Sequence, residues 1–211
     1  MKGICFQEPL FHGVVEGRIT QFREIAKPQP SVSPNVSYRF DGICEEEGYY
    51  YLEELDDFGK FTEKYLNVGK PRYKAGEKVY LKEPYYKHPC FEIVYKHGFK
   101  GCGAFNIEAW KNKLSMPAKY ARYFIEITDV RCDQLQCISD EDCLKEGVIH
   151  NQRNHITYEG IYSSDYYLIR ECDIEYENPQ QAYAALINKI HGNGTWESNP
   201  YVWVYDFKLI K

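Results

Sequence analysis

The sequence contains no long run of apolar residues. No hydrophobic stretch approaches the roughly 20 residues that a helix needs to cross a bilayer. The first residues, Met1–Phe6, also lack the apolar stretch of a secretory signal peptide. We therefore expect a soluble, cytoplasmic protein that does not interact with membranes and whose 8 cysteines are reduced thiols.

Methionine is scarce as well, since the chain has 2 Met against 20 Tyr, and aromatic residues make up 16% of it. Aromatic residues are enriched in strands, so this composition favours sheets and flat stacking surfaces over a helical bundle. A chain of 211 residues is long enough for one domain with a substantial core. No internal repeat or low-complexity tract divides it into smaller units.

Basic residues are missing from residues 40–58, which carry eight acidic residues. This segment makes the chain acidic, because the net charge is −5 while residues 1–39 carry +2 and the residues after 58 carry +1. Long-range attraction of a polyanion is therefore not expected, although a local basic cleft is compatible with the distribution. The acidic segment 41–58 offers an alternative role, as a docking surface for a protein partner or a mimic of nucleic acid.

The polar stretch Glu16–Glu24 follows the first predicted helix. Apolar residues between Leu10 and Val15 recur at helical spacing, and Gly17 is well placed as the left-handed residue that ends this helix. We expect a polar turn after it, in which Arg18 and Arg23 hold an anionic or base-like ligand. In the alternative interpretation this turn is a solvated loop, with Arg23 paired to a neighbouring glutamate on the surface.

The remaining pattern predicts separate strands and few helices. The predicted elements are a hairpin over Tyr38–Tyr51 with its acidic side in water, a strand with Val79 and Leu81 inward, a strand over Ala121–Arg131, a short helix capped by Ser139 and ending at Gly147, a helix begun by Asn178-Pro179 and ended by Gly192, and a closing strand over Tyr201–Phe207. This order favours an α+β fold whose strands close into a small mixed β-barrel flanked by short helices.

Several short motifs, spread over most of the chain, form one recognisable series. They are Gly17-Arg18, Thr20-Gln21, Arg23, Lys27-Pro28-Gln29-Pro30, Tyr73-Lys74, Gly76, Tyr80, Lys82-Glu83, Met116-Pro117, Arg122, Glu126–Arg131, Ile138-Ser139, Glu141-Asp142, Trp196, Asn199-Pro200 and Val202-Trp203-Val204. In this order and spacing the chain resembles the ASCH-like proteins of phages and prophages, which belong to the PUA-like superfamily.

The resemblance implies a single domain over residues 1–211, with a barrel of five or six strands and a cleft between barrel and helices. Insertions are then expected at about 35–68, 87–108 and 148–176. The implied ligand is RNA, a nucleotide or a modified base, and no cofactor is implied. Relatives in the superfamily bind RNA, sense modified bases or, in one small branch, hydrolyse the acetyl amide of N4-acetylcytidine.

This chain departs from the family's turn, Gly-x-Lys-x-x-x-x-Arg, at the positions that carry chemistry. Gly17 matches, but the lysine position is Ile19, the arginine position is Glu24, and the threonine of the hydrolytic branch is Phe22. Isoleucine does not stabilise an oxyanion, and phenylalanine has no nucleophilic atom. We therefore expect binding without turnover, with Glu83 as the one candidate catalytic residue; a nucleoside hydrolase or ribonuclease is the alternative.

The residues expected to contact the ligand are Arg18, Thr20, Gln21, Arg23, Lys82, Glu83, Tyr85, Arg122 and Trp196. Glu83 would accept a base amino group or act as a general base if it is buried near Arg122, or else form a structural ion pair at the end of a strand. Tyr85 and Trp196 are candidates for stacking on a base, Trp196 because it follows a glycine-rich loop.

The cysteines and histidines do not predict a metal site. His88, Cys90, His97 and Cys102 supply the atom types that bind zinc, but their spacing fits none of the usual paired-ligand patterns. Cys132, Cys137 and Cys143 are separated by four and five residues and straddle a predicted strand and a predicted helix, so we expect no metal there either.

Overall fold

The computed structural model describes residues 1–30, 37–44, 49–87, 93–99, 110–158, 160–170 and 174–210. The helices in these ranges are α1 (Glu8–Val15), α2 (Asp140–Lys145) and α3 (Pro179–His191). The strands are β1 (Gly3–Ile4), β2 (Gln21–Ile25), β3 (Ser37–Cys44), β4 (Tyr49–Leu55), β5 (Phe61–Asn67), β6 (Lys78–Leu81), β7 (Tyr85–Lys87), β8 (Ile93–Tyr95), β9 (Phe124–Gln134), β10 (Val148–Thr157), β11 (Gly160–Ile169) and β12 (Tyr201–Leu209). The fold is α+β with mostly strands, as expected, and none of these helices is long and apolar enough to span a bilayer.

Five strands form the main sheet, in the order β1-β6-β9-β12-β2. Strand β12 lies between β9 and the edge strand β2, and it pairs along its length with β9, from Tyr201 opposite Gln134 to Leu209 opposite Ile125. Its residues alternate between two hydrophobic clusters, because Trp203 packs on one face of the sheet and Val204 on the other. Burial on both faces explains why this strand reads as a continuous apolar run.

The main sheet does not close into a barrel, which corrects the expectation of a closed small barrel. Its edges are β1 and β2, and no hydrogen-bonded ladder joins them in the described ranges. Strand β1 has two residues and runs parallel to β6, with Gly3 opposite Tyr80. Such a short edge strand offers few backbone groups for a further pairing, so the sheet stays open between β1 and β2.

Two layers cover the main sheet. On one face α1 and the three-stranded sheet β3-β4-β5 pack against it, with Tyr50 of β4 edge-on to Trp203 at 4.9 Å between ring centroids. On the other face lie α2, α3 and the β10–β11 hairpin, with Tyr183 and Val148 in the shared cluster. The helix caps agree with the sequence, since Ser139 and Asn178 each accept a hydrogen bond from a backbone amide of the first turn of α2 and α3.

Two of the expected insertions contain regular structure. Residues 148–176 include the long antiparallel β10–β11 hairpin, which the sequence left unplaced. The segment 35–68 includes β3, β4 and β5, and Tyr50 and Leu52 belong to the main core. The expectation that the acidic side of this segment faces water is wrong for Glu53, which is 5% exposed. The turn predicted near residues 47 and 48 lies outside the described residues.

Candidate ligand-binding cavity

A cavity of about 280 Å³ lies where the main sheet is open. Its walls come from both edge strands, through Gly3–Phe6 on one side and Gln21–Glu24 on the other, and from the apolar face of α3. Leu186 and Ile187 of that helix line it together with Ile19, which stands at the lysine position of the family's turn. Apolar walls with a few polar groups are the usual composition of a small-molecule site.

The stretch that was predicted as a polar turn is a strand from Gln21 onwards. Gly17 does end α1 in the left-handed conformation, with φ of +73°, but the chain then pairs with β12. Because strand residues two apart point to the same side, Gln21 and Arg23 share one face. They are 1% and 9% exposed, so the interpretation of Arg23 as a residue of a solvated loop is wrong.

Arg23 is the centre of a buried polar cluster on the cavity wall. Its Nη1 donates to Oε1 of Gln21 at 3.0 Å and to Oε1 of Glu146, the residue that follows α2. The other carboxylate oxygen of Glu146 accepts a hydrogen bond from the hydroxyl of Tyr183 at 2.6 Å. Nη2 of Arg23 lies 3.5 Å from Oδ2 of Asp142. The cluster therefore ties β2 to the end of α2 and to α3.

A second arginine extends this cluster away from the cavity. Gln21 donates through its Nε2 to Oδ1 of Asp206 at 2.7 Å, and Arg131 donates to the other oxygen of that carboxylate. Arg131 also reaches Oδ2 of Asp142 at 3.1 Å. Asp142 thus lies between the two guanidinium groups, so the orientation of Arg23 depends on residues from β9, β12 and α2.

One donor of the cluster is left over. The side chain of Arg23 is only 3% exposed, and its Nε has no hydrogen-bond partner among the described residues. A buried donor without an acceptor costs about 1–3 kcal/mol. Arg23 lines the cavity as part of this cluster, whereas Nε itself is enclosed by protein atoms and does not face the open space.

Three further ionisable groups on the cavity wall are held in their neutral forms by burial. Burial raises the pKa of the Cys5 thiol, against the opposing charges of Lys82, Lys113 and Arg72. Burial likewise raises the pKa of the hydroxyls of Tyr73 and Tyr183. At neutral pH these groups are hydrogen-bond donors rather than nucleophiles.

The residues that the sequence nominated do not meet at one place. Gln21, Arg23 and Lys82 line the cavity. Arg18 instead pairs with Glu16 at 2.9 Å and lines a separate small pocket. Thr20 joins elements through its backbone, since its amide donates to the carbonyl of residue 145 and its carbonyl accepts from the amide of residue 207.

Glu83 and Arg122 form the ion pair that the sequence analysis considered. Glu83 is 1% exposed, and Nε and Nη2 of Arg122 each lie 2.8 Å from one of its oxygens. Arg122 also donates to the carbonyl oxygen of His97 at 2.6 Å. Both carboxylate oxygens are therefore engaged, which favours the structural alternative over a general base. Neither residue lines the cavity.

The two aromatic candidates pack against the protein. Tyr85 is 5% exposed, and its ring centroid is 5.6 Å from that of Tyr120. Trp196 is half-buried and lies edge-on to Tyr183 at 6.2 Å between centroids. Trp196 keeps part of its surface exposed, but it does not line the cavity.

The sequence analysis missed Glu146 and Tyr183. Tyr183 was predicted on the apolar face of α3, and its hydroxyl had no visible partner in the sequence. Glu146 sits beside Gly147 at the end of a short, strongly acidic helix, where a solvated glutamate is the ordinary expectation. The one sequence signal for the buried polar cluster was the alternation in Gln21-Phe22-Arg23, which is typical of a strand with one polar face.

In the part of the chain that the structure describes, no group of three or more His, Cys, Asp or Glu residues is arranged to hold a metal ion. Three of the residues considered for zinc, His88, Cys90 and Cys102, lie outside the described ranges. No protein-family model, curated protein or solved structure matches this chain. The likeness to the ASCH-like proteins therefore rests on the sequence motifs alone.

Proposed function

We propose that this protein binds a nucleobase in the cavity between β1 and β2, without chemical turnover. The base would come from a nucleotide, a modified nucleoside or an unpaired residue of RNA. The sequence motifs support this class of ligand, and in this proposal the main sheet corresponds to a PUA-like barrel opened between its edge strands.

The observation that carries the proposal is the fixed polar cluster of Arg23, Gln21 and Glu146 in the wall of a mostly apolar cavity. A guanidinium group presents its donors in one plane, and here its two Nη nitrogens are oriented by Glu146, Gln21 and Asp142. Polar groups held in fixed positions suit the polar edge of a planar ligand, such as a base carbonyl, amino group or ring nitrogen.

The size and lining of the cavity agree with one base. About 280 Å³ is close to the lower end of the range of roughly 300–1,000 Å³ that is typical of small-molecule pockets. A base has apolar faces and a polar edge, which matches apolar walls from Phe22 and Leu186 beside the polar cluster of Arg23. A double helix does not fit such a space, so an RNA ligand would have to present an unpaired base.

Turnover is not part of the proposal because the wall offers no activated nucleophile. Ile19 replaces the lysine of the family's turn and lines the cavity with an apolar side chain. Cys5 and Tyr73 are held protonated by burial. Glu146 has both oxygens engaged, by Arg23 and Tyr183. Incubation of the protein with N4-acetylcytidine is therefore expected to release no acetate.

The test is to block the cavity without disturbing the polar cluster. Ile190 of α3 lines the cavity and is partly buried, so Ile190→Phe should fill space there and leave Arg23 and Glu146 in place. We expect the parent protein to bind ribonucleosides or short single-stranded RNA in calorimetric titrations at low salt. Ile190→Phe should weaken this binding about tenfold or more, because packing one base contributes roughly 1–3 kcal/mol.

Leu209→Phe is the matched control. Leu209 lies on β12, is partly buried against the main core and does not line the cavity. This variant should bind as the parent does, and circular dichroism should show that both variants are folded. Absence of any ribonucleoside or RNA binding by the parent, or equal binding by Ile190→Phe, would refute the proposed function.

A further inference from the structure

A second pocket, of about 150 Å³, adjoins the cavity and collects basic side chains. It lies between α1 and the residues that follow β6 and β8. Its charged and titratable lining residues are Glu8, His12, Lys82, Glu83, Lys96, His97 and Lys113. Phe6 and Lys82 belong to the walls of both spaces, so the pocket is adjacent to the base cavity.

The charges in this pocket do not cancel. Glu8 is paired with Lys96 at 2.7 Å, and Glu83 with Arg122 at 2.8 Å. Lys82 and Lys113 have no carboxylate partner among the described residues, and each donates to a backbone carbonyl, at 3.0 Å and 2.6 Å. Among the described residues, two positive charges in this pocket are therefore without a carboxylate partner.

Both lysines have donors to spare. An ammonium group carries three N–H bonds, and each of these makes one hydrogen bond in the described structure. Lys82 follows β6 and Lys113 begins a short 3-10 helix, so the two groups approach the pocket from different segments. Donors that line one pocket from separate segments are suited to a ligand with several acceptor oxygens.

A pair of histidines completes the lining. The ring centroids of His12 and His97 are 4.3 Å apart, and Nδ1 of His97 is buried without a hydrogen-bond partner among the described residues. The pKa of His97 lies below its ordinary value because of burial, then because of the neighbouring charges of His12 and Arg122. The groups that act on this ring from the surrounding elements are His12 and Glu16 at α1, Glu83 after β6, and Arg122 before β9.

We propose that this pocket binds a phosphate group, with the ammonium groups of Lys82 and Lys113 and the imidazole of His97 as donors. A dianionic tetrahedral group would neutralise the two unpaired lysines and offer acceptor oxygens to all three segments. The pocket is too small for a base in addition, and its donors are cations rather than the carboxylates that a metal ion prefers.

The site also places the ligand of the base cavity, and in this respect it rests on the proposed function. Because Lys82 lies on the walls of both spaces, a nucleotide with its base beside Arg23 could extend its phosphate past Phe6 into this pocket. The phosphate would then belong either to a mononucleotide or to the backbone of RNA.

The first test uses inorganic phosphate alone. NMR titration of the histidine ring protons should show that phosphate raises the pKa of His97, because a nearby anion favours the imidazolium form. Lys113→Met should weaken phosphate binding about tenfold, the usual effect of one hydrogen bond between charged groups. Lys113 does not line the base cavity, and Lys82→Met provides a second variant if this one is unstable.

Lys208→Met is the control, since Lys208 is an exposed lysine of β12 paired with Glu126 at 3.3 Å. It should leave phosphate binding and the pKa of His97 unchanged. If phosphate does not shift the titration of His97 in the parent protein, or if Lys113→Met binds phosphate as tightly as the parent, the phosphate site is refuted.

The second test separates this site from the base cavity and identifies the source of the phosphate. The parent should bind cytidine 5′-monophosphate about tenfold more tightly than it binds cytidine. The variant Lys113→Met should bind the two ligands with equal affinity. Cytidine binding without any gain from the phosphate refutes the pocket and leaves the proposed function standing. Phosphate binding without any nucleoside or RNA binding refutes the proposed function and leaves the phosphate site standing.

If the phosphate comes from RNA, Lys113→Met should also reduce the salt dependence of oligonucleotide binding, by about 0.7 in the slope of log K against log salt. If a mononucleotide is the ligand, this slope should be the same in parent and variant, and only the monophosphate should discriminate between them.

Discussion

Removing the carboxylate of Glu146 should destabilise the protein strongly. The side chains of Arg23 and Glu146 are 3% and 5% exposed, so the change Glu146→Leu leaves a buried guanidinium group without its principal partner. It also removes the acceptor of the Tyr183 hydroxyl. Loss of one partner of a buried ion pair typically costs about 3–5 kcal/mol.

The structure places the expected value at the lower end of that range. Asp142 remains 3.5 Å from Nη2 of Arg23 and still compensates part of its charge. We therefore expect a loss of about 3 kcal/mol in the free energy of unfolding, equivalent to a fall of roughly 6–12 °C in Tm for a chain of this length. Urea denaturation and calorimetry of parent and variant measure these two quantities.

The double variant Arg23→Met with Glu146→Leu tests the reason for the loss. If the cost comes from an unpaired buried charge, apolar replacement of both partners should be more stable than Glu146→Leu alone. Glu16→Leu is the control, because Glu16 forms an exposed pair with Arg18 and its removal should leave Tm unchanged. A Glu146→Leu variant as stable as the parent would show that Arg23 is not held as described.

Two further predictions concern ionisation. The pKa of Asp142 lies below its ordinary value although burial alone would raise it, because the hydrogen bond and charge of Lys145 and neighbouring arginines outweigh burial. Asp142 therefore contributes stability that is present above about pH 4 and is lost as the pH falls. Asp142→Asn should flatten the pH dependence of the unfolding free energy between about pH 4 and pH 2. An unchanged slope of the unfolding free energy against pH would contradict this prediction. Burial raises the pKa of Cys132 and Cys143 to about 12, whereas Cys137 is exposed. Iodoacetamide should therefore modify Cys137 before Cys132 and Cys143 in the native protein, as followed by peptide mass spectrometry, and equal rates at these three thiols would contradict the described burial.

The helices could be predicted because their signals are local. Ser139 and Asn178 cap α2 and α3 through hydrogen bonds to amides three residues away. Gly17 ends α1 at a positive φ, as its position after the apolar face indicated. The alternation of Ile125 and Ile127 likewise identified β9, since both side chains are fully buried.

The candidate site could be predicted only in part. Gln21 and Arg23, which were expected in a turn, lie on a strand and line the cavity. Whether a polar strand face meets water or another element depends on what packs against it, and the sequence of β2 contains no information about α3. Glu83 and Arg122 were expected to be close and are paired, yet outside the cavity.

The sequence by itself determined the α+β class, the ends of the helices and the apolar strand β12, because hydrogen bonds and periodicity over a few residues specify them. Only the tertiary structure decided that the main sheet stays open and that a buried arginine stands at the opening. The bond between Arg23 and Glu146 joins residues 123 positions apart. Such a contact exists only after α2 and α3 have packed on the sheet, so no local pattern encodes it.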